Sequence, residues 1–186
     1  MTPALRAAYA QRHRRYHTLA HVEDCLTKLA KVQGLTDPER SLLEYAIWWH
    51  DAVYEPTRSD NEAASAAMAL RDLAQMSVTE GDRAEVARLI LLTAGHAVDP
   101  SDRAGAILVS IDLSILAASP DAYDVYSKAV REEYAHVPDL AFRRGRTVAL
   151  RKFLAVPILF PHPPLAAIWD APARVNLTRE VTRLEI

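Results

Sequence analysis

Cysteine, glycine and long apolar runs are scarce in this chain, and each scarcity excludes a class of protein. Cys25 is the only cysteine, so an internal disulfide is impossible. With only 5 glycines among 186 residues, no glycine-rich phosphate loop accompanies the other motifs, which argues against a P-loop nucleotidase. No apolar run reaches the roughly 18 residues of a membrane span, and the first residues hold no apolar segment of signal-peptide length. We therefore expect a cytoplasmic protein without membrane association.

The charges of the chain are nearly balanced, with 22 basic and 24 acidic residues and a net charge of -2. This balance gives no global attraction to nucleic acids or anionic membranes, although it is compatible with local basic patches. Hydrophobic residues make up 50% of the sequence, which is enough for a sizeable core. Because no repeat or linker divides the chain, we expect a single domain over residues 1–186.

The composition favours helices, since alanine, leucine, arginine and glutamate dominate and alternating strand patterns are hard to find. The sequence predicts an all-α bundle of about eight helices. Their predicted ranges are roughly 18–33, 37–54, 60–76, 80–93, 103–117, 121–134, 139–154 and 170–184. Four prolines between residues 157 and 164 predict a loop before the last, short helix.

Several helix ends carry recognisable capping sequences. Thr36-Asp37-Pro38-Glu39 predicts a capping box, and Ser59-Asp60-Asn61-Glu62 repeats the pattern. Ser119-Pro120 predicts an N-cap followed by proline at the first helical position. Gly34 is placed to follow the C-terminus of the first predicted helix.

The doublet His50-Asp51 is the most informative feature of the sequence. Leu43, Ala46, Ile47 and His50 share one face of a predicted helix, so a histidine and a carboxylate reach the edge of an apolar core. Polar groups there need compensation, and a metal ion is one candidate. Taken alone, such a pair is more often a satisfied core histidine beside a solvated acid.

Two further polar positions interrupt apolar surroundings. Asp112 has only apolar neighbours on its helix face, including Leu108 and Ile115, so its carboxylate needs a cation, hydrogen-bond donors or a raised pKa. His17 and His21 are four residues apart and share a face if the helix includes both. That spacing suits a metal or a phosphate, but for the pair taken alone two partly exposed polar residues flanking a core stripe are the favoured interpretation.

Together these positions have the chemistry of a transition-metal site. His21, His50, Asp51 and Asp112 would offer two imidazoles and two carboxylates, a set that suits Mn, Fe, Co, Ni or Zn better than calcium. His96 is either an additional ligand, a phosphate contact, or a histidine that favours a helix C-terminus.

The order of these residues resembles that of the HD superfamily of metal-dependent phosphohydrolases, which is named for its His-Asp doublet. The similarity is greatest to a bacterial group of predicted HD-superfamily hydrolases. It extends from about Tyr9 to Glu180 and rests on the following segments: Arg15 to His21, Trp49 to Tyr54, Asp60 to Glu62, Asp112 to Leu116, Arg131 to Tyr134, Gly145-Arg146 and Ala173 to Leu177.

The resemblance implies an HD-domain-like fold with His21, His50, Asp51 and Asp112 as metal ligands. Two positions depart from related patterns. Ser110 stands where an aspartate is expected, and Tyr54 occupies the place of a glutamate that transfers protons in some HD nucleotidases. The mechanism of those nucleotidases is therefore not carried over.

The implied reaction is metal-dependent hydrolysis of a phosphoester in a small phosphorylated substrate, with a nucleotide as one option. Glu62 and Asp60 are the candidate catalytic carboxylates, although a capping box explains Glu62 equally. The candidate substrate-binding residues are His17, Arg15, His96, Lys128, Arg131 and Arg146. Four aromatic residues can either stack on a base or fill the core: Trp48, Trp49, Tyr126 and Tyr134.

Two other functions use the same pocket. A regulatory module can bind a metal or ligand without turnover, and its ligand set would look the same. A di-iron oxygenase is the third candidate, but it needs more than four ligands, for which His96 is the main surplus histidine. The sequence does not specify the oligomeric state.

Overall fold

A computed structural model describes residues 2–185, and this part of the chain is all-helical. It contains nine α-helices and a 3-10 segment, Leu113–Ala117, that directly follows the sixth helix. The α-helices are α1 (Pro3–Tyr9), α2 (Leu19–Leu29), α3 (Asp37–Trp49), α4 (Asn61–Gln75), α5 (Glu80–Leu92), α6 (Arg103–Asp112), α7 (Pro120–Glu133), α8 (Asp139–Ala155) and α9 (Pro163–Glu185). The predicted all-α class is confirmed.

Two of the predicted helix starts are confirmed in atomic detail. At α3 the Thr36 N–H donates to Glu39 Oε2 at 2.8 Å, and the Glu39 N–H donates back to Thr36 Oγ1 at 3.4 Å, which completes the capping box. At α7 Ser119 is the N-cap, and Pro120 occupies the first helical position. Proline is tolerated there because its missing N–H has no intrahelical acceptor.

The predicted capping box at Ser59 to Glu62 is wrong. The N-cap of α4 is Asp60, and its side chain makes no capping hydrogen bond. Instead, both carboxylate oxygens of Asp60 accept from Arg58 at 2.8 Å. The Arg58 guanidinium therefore binds the carboxylate that would otherwise accept a backbone N–H of the first turn of α4.

Helices α2 and α3 end earlier than predicted because side chains from other helices bind the backbone beyond them. Arg40 donates to the carbonyls of Leu29 and Val32 at 2.9 and 3.1 Å. Gly34 therefore lies beyond the helix end, in a turn with φ 71°. After α3, the Val53 N–H donates to Ser65 Oγ at 3.0 Å, which holds an extended connection to α4.

The chain termini differ most from the prediction. Helix α1 has no counterpart among the predicted helices, and α9 is 23 residues long rather than short. Because the first helical positions need no N–H, Pro163 and Pro164 begin α9 instead of ending the loop. Pro172 lies inside α9.

Helix α6 links two hydrophobic clusters. Its residues Ile107, Leu108 and Ile111 belong to a cluster built mainly from α2 to α5, whereas Val109 belongs to a second cluster with residues of α7, α8 and α9. All four side chains are fully buried. The C-terminus of this central helix therefore reaches the interior, and Asp112 is its last residue.

Within residues 2–185 no single helix is both long and apolar enough to cross a membrane. Two consecutive segments, Arg103–Ala117 and Pro120–Glu133, meet the length and hydropathy criteria only when they are joined, and the chain bends by 103° between them.

Candidate metal centre

Three helix ends meet at one buried point. His21 lies in the first turn of α2, His50 is the C-cap of α3, and Asp112 ends α6. Asp51 directly follows His50. The two histidines are almost completely buried, and the carboxylate side chains of Asp51 and Asp112 are 17% and 15% exposed. The carboxylates are therefore the more exposed members of the cluster.

His21, His50 and Asp51 form a group that can hold a metal ion. The Nε2 atoms of the two histidines are 3.2 Å apart. Asp51 Oδ2 is 3.1 Å from His50 Nε2 and 3.7 Å from His21 Nε2. Ligands that each lie about 2.1 Å from one ion are roughly 3.0 to 3.4 Å apart at right-angled to tetrahedral geometry. The spacing of the donor atoms fits a shared ion.

Asp112 reaches the same cluster from α6. Its Oδ1 atom is 3.2 Å from His21 Nε2 and 3.4 Å from His50 Nε2. Asp112 thus lies close to both histidines, whereas the group whose donor atoms all lie within 4.8 Å of one another consists of His21, His50 and Asp51. Two imidazoles with carboxylates suit a borderline divalent transition metal.

Hydrogen bonds on the outer side of each imidazole orient the Nε2 atoms toward the cluster. His50 Nδ1 donates to the carbonyl of Ile47 at 2.9 Å, so the neutral ring presents a lone pair at Nε2. His21 Nδ1 hydrogen bonds to the hydroxyl of Tyr16 at 3.0 Å. Such outer partners are typical of metal-bound histidines.

The charges of the cluster favour a cation. Burial opposes protonation of His50, but the neighbouring carboxylates of Asp51 and Asp112 outweigh it and raise the pKa of His50 well above its ordinary value. Burial likewise opposes ionisation of Asp51 and Asp112, yet the surrounding histidines hold the pKa of both carboxyl groups below their usual range. Two buried carboxylates and inward-facing nitrogen lone pairs are satisfied either by protons or by a metal ion.

His96 touches the cluster only through Asp112. Its Nε2 lies 3.4 Å from Asp112 Oδ2, the oxygen that does not face His21 and His50. His96 has a φ of 56°, in the left-handed region that costs a non-glycine residue about 1 kcal/mol. Its N–H donates to the Leu92 carbonyl at 2.9 Å, which ends α5 and directs the chain to this position.

Arg14 fixes the backbone of the His50-Asp51 doublet, a role that the sequence did not reveal. The side chain is buried, and it donates to the carbonyls of Asp51 and Ala52 at 2.8 and 3.1 Å. It also donates to the carbonyl of His17 at 2.8 Å. One guanidinium therefore joins the segment before α2 to the segment after α3, and so holds His21 near His50.

Glu133 is a second organising residue that the sequence did not single out. Its Oε1 accepts the backbone N–H groups of Arg15, Tyr16 and His17 at 2.7 to 3.0 Å. Its Oε2 accepts from His17 Nδ1 at 2.7 Å and from Tyr54 Oη at 2.9 Å. Burial raises the pKa of Glu133, but these donors outweigh it and lower the pKa to about 2. The sequence did hold a sign of this burial: Glu133 follows Val130 by three residues on α7, so the two side chains share the buried face of that helix.

A cavity of about 420 Å³ lies beside the cluster. His17 belongs to its lining, and the His17 ring centroid is 6.3 Å from that of His21. Its lining includes five aromatic side chains and one arginine, namely His17, Tyr54, Tyr126, Tyr134, Phe142 and Arg146. Tyr126 and Tyr134 thus lie where a planar ligand can stack, whereas Trp49 is buried in the core.

Arg146 is the one guanidinium in the cavity wall of the described chain. Its Nε and Nη2 atoms donate to the buried Glu180 at 2.9 and 3.2 Å, and its guanidinium carbon lies 5.3 Å from the Tyr126 ring centroid. Burial opposes the charge, but Tyr126 and Glu180 outweigh it and raise the pKa of Arg146 above its ordinary value. The arginine is therefore held in one orientation at the cavity.

The other three predicted substrate-binding cations, Arg15, Lys128 and Arg131, do not line the aromatic cavity, although Arg15 lines a smaller pocket together with His21. Arg15 forms an exposed ion pair with Glu132 at 3.3 Å. Arg131 donates to the carbonyls of Tyr134 and Val137, so it supplies hydrogen-bond donors to the backbone that follows α7. Lys128 is exposed and lines a different surface groove. These three cations were predicted from residue type alone, and acidic or backbone groups bind Arg15 and Arg131.

The two predicted catalytic carboxylates have different surroundings. Asp60 is paired with Arg58 at the surface. Glu62 is half-buried in the first turn of α4, and its charge contributes to the raised pKa of Tyr134, a residue of the cavity wall. Ser110, where an aspartate was expected, is buried and accepts the N–H of His162 at 3.0 Å. It therefore anchors the start of α9.

The site combines a buried His/His/Asp group with an adjacent aromatic cavity that contains one fixed arginine and one histidine. Comparisons of the chain with protein-family models, with curated proteins and with solved structures found no match.

Proposed function

We propose that this protein is a metal-dependent phosphohydrolase similar to those of the HD superfamily, acting on a small phosphorylated molecule. The observation that carries the proposal is the convergence of His21, His50 and Asp51 beside a cavity that contains Arg146. Asp112, whose Oδ1 atom is 3.2 Å from His21 Nε2, is the fourth proposed ligand. A divalent transition metal, drawn from Mn, Fe, Co, Ni and Zn, is the proposed cofactor.

A bound divalent ion lowers the pKa of coordinated water and polarises a phosphoryl oxygen. The chain contributes the rest of the chemistry. Asp51 and Asp112 keep their negative charge because the histidines stabilise it. Arg14 holds the doublet in place, and Tyr16 and Ile47 keep the two imidazoles aimed at the ion.

The cavity supplies the groups that a phosphoester requires. Arg146 is already fixed by Glu180, so little conformational entropy is lost when its guanidinium binds a phosphoryl oxygen. Tyr54, Tyr126 and Tyr134 offer faces and edges for a planar leaving group. A small phosphoester with an aromatic or heterocyclic moiety, such as a nucleotide, matches this lining.

Glu62 is our candidate for accepting the proton of the attacking water. The N-cap residue of α4 makes no side-chain capping hydrogen bond, so Glu62 does not serve in a capping box. Support comes from its charge, which contributes to the raised pKa of Tyr134, a residue of the cavity wall. Asp60 is not proposed for this role, since Arg58 occupies both of its oxygens.

Phosphate release after reconstitution with each candidate metal tests this proposal. The protein is stripped with a chelator, reloaded and assayed against a panel of nucleotides and phosphomonoesters. We expect metal-dependent release that Asp51→Ala lowers by about 100-fold or more, because the ion loses a ligand and its activating effect. Glu44→Ala, at an exposed position on α3, the helix that precedes Asp51, is the matched control and should retain activity.

Other outcomes separate the alternatives. Metal binding without phosphate release from any substrate would favour the regulatory module. Consumption of oxygen by the iron-loaded protein, without phosphate release, would favour the di-iron oxygenase. Phosphate release that survives both chelation and Asp51→Ala would contradict the proposed site.

A further inference from the structure

We propose that a second cavity, at the far ends of α2 and α6 from the metal cluster, binds a small organic anion with an aromatic or aliphatic body. This inference goes beyond the proposed function, because such binding requires no metal ion. The cavity has a volume of about 660 Å³, and its lining comes from the end of α2, the residues that follow it, the start of α6 and the beginning of α9. Cavities of about 300 to 1,000 Å³ are typical of small-molecule sites.

The lining carries an excess of positive charge. The described residues give it three basic side chains, Lys28, Lys31 and Arg103, and no acidic one. The chain as a whole has the opposite balance, with 22 basic and 24 acidic residues. Concentration of one sign of charge in a concave surface raises the local concentration of the opposite ion. The cavity therefore favours an anionic ligand.

Of the three cations, Lys31 has no carboxylate to leave. It is exposed and makes no ion pair within residues 2–185. Arg103 donates to Glu39 at 3.0 Å, and Lys28 pairs with Asp24 on α2. Because Glu39 and Asp24 lie outside the lining and such exposed pairs are weak, Arg103 and Lys28 still contribute to the positive field. Lys31 is the cation that can pair with the ligand directly.

Apolar side chains of α9 supply the second half of the chemistry. Ile168 is 66% exposed although it is a large hydrophobic residue. Trp169 lies beside it in the lining, and its ring centroid is 5.7 Å from that of Phe160 with an angle of 65°. This edge-to-face contact helps to fix the indole. Contact of Ile168 and Trp169 with a hydrocarbon group would remove apolar surface from water, which is favourable.

His162 adds a polar group that the protein itself does not use. Its imidazole belongs to the lining, and its Nδ1 atom is buried without a hydrogen-bond partner among residues 2–185. Orphaned buried polar atoms are rare in folded proteins. Burial and the nearby Arg103 guanidinium lower the pKa of His162, so the ring is neutral near neutral pH. The imidazole can therefore offer a hydrogen bond to a ligand without adding charge.

The backbone at the start of α9 does not bind the anion. Pro163 and Pro164 have no N–H group, and the N–H groups of Leu165 and Ala166 already donate to the His162 carbonyl at 3.0 and 2.9 Å. Recognition of the charge thus depends on side chains, and above all on Lys31.

This cavity is separate from the metal centre although it shares two helices with it. Lys28 lies in the last turn of α2, whereas His21 lies in the first. Arg103 begins α6, whereas Asp112 ends it. At 1.5 Å per residue, the two ends of α6 are about 14 Å apart. A ligand in this cavity would therefore bind equally well to metal-free and metal-loaded protein.

The test uses three small molecules with the same phenyl body: 3-phenylpropanoate, 2-phenylethylphosphonate and the uncharged 3-phenylpropanol. Calorimetric titration of chelator-stripped protein measures their affinities. We expect both anions to bind at least about tenfold more tightly than the alcohol, because only they are attracted by the basic lining. The comparison of the two anions then shows whether a carboxylate or a phosphate-like head is preferred.

The indole N–H signals of the three tryptophans locate the binding. Trp169 lines this cavity, whereas Trp48 and Trp49 lie on α3. We expect 3-phenylpropanoate to shift the Trp169 signal in a ¹H–¹⁵N spectrum and to leave the other two in place. The Trp169→Phe variant identifies the signal.

Two variants at exposed positions separate charge from apolar contact without threatening the fold. Lys31→Met keeps the length of the side chain and should weaken the binding of both anions by about three- to tenfold, with no change for the alcohol. Ile168→Ser should weaken all three ligands by a similar factor of about three to ten. Lys152→Met, at an exposed position on α8 outside the cavity, is the matched control and should change nothing.

Three results would overturn the assignment. They are the absence of saturable binding of both anions, equal affinity for the anions and the alcohol, and a Trp169 signal that does not move. Binding that appears only after a metal is added would overturn it as well, since the anion would then occupy the metal centre. None of these results bears on phosphate release, and a protein that releases no phosphate can still bind the anions here, so the two proposals fail separately.

Discussion

At the scale of single residues, the protonation of His50 decides whether its imidazole can bind a cation. Burial opposes the proton, but Asp51 and Asp112 outweigh it, so the pKa of His50 is raised in the ion-free protein. Protonation of the imidazole is therefore favoured in the ion-free protein, and a metal ion must displace that proton. Metal binding should thus be coupled to proton release.

We predict that metal affinity rises with pH by about tenfold per unit while His50 is protonated in the ion-free state. Calorimetric titrations in two buffers with different ionisation enthalpies would measure the protons released, for which we expect about one per ion near neutral pH. An affinity that stays constant between about pH 6 and 8 would contradict the coupling.

Residue patterns predicted part of this site. His50, Asp51 and Asp112 stood out because polar groups on apolar helix faces need a partner, and the structure brings these three together. Arg14 and Glu133 did not stand out because several of their partners are distant backbone groups: Arg14 donates to carbonyls more than 35 residues away, and Glu133 accepts N–H groups more than 110 residues away. Nothing in a local pattern tells which carbonyls and N–H groups a distant fold leaves unpaired.

At the scale of helices, the junction between α5 and α6 positions both His96 and the helix that ends in Asp112. Gly105 packs tightly there, since an added Cβ would lie 2.6 Å from Leu92 Cδ1 and 2.9 Å from Asp102 Cγ. Asp102 is the N-cap of α6 and accepts the Gly105 N–H at 2.9 Å. It also accepts from Arg88 at 2.6 Å.

We predict that Gly105→Ala destabilises the protein by about 1 to 3 kcal/mol, because the new methyl group displaces Leu92 and the capping carboxylate. Denaturant unfolding measures the change. Gly81→Ala is the matched control: that glycine is also helical, but an added Cβ would meet nothing within 4 Å, so its free energy of unfolding should rise by up to about 1 kcal/mol. Equal effects in the two variants would show that Gly105 is not tightly packed.

Helix positions were easier to predict than helix ends. The capping box at Thr36 and the proline after Ser119 are local signals, and the structure confirms both. The ends of α2 and α3 depend instead on Arg40 and Ser65, which lie on neighbouring helices. Local sequence cannot report such tertiary capping.

At the scale of the whole molecule, α2, α3 and α6 bring their ends to a single point although they are far apart in sequence. The separation of His21, His50 and Asp112 along the chain means that only the folded protein can assemble the centre. The all-α class followed from composition and spacing, but the aromatic cavity did not. Its wall combines residues before α2 with residues of α7 and α8, and that juxtaposition depends on how the helices pack.

The metal content of the reconstituted protein tests the central claim most directly. Chelator-stripped wild-type protein and Asp51→Ala are reloaded with Mn, Fe, Co, Ni or Zn, passed through a desalting column and analysed for bound metal, with Glu44→Ala as the control. We predict that the wild-type and control proteins retain a stoichiometric transition metal, whereas folded Asp51→Ala loses most of it because one of the clustered ligands is gone. Failure of the wild-type protein to retain any of these metals, or equal retention by Asp51→Ala, would contradict the metal centre.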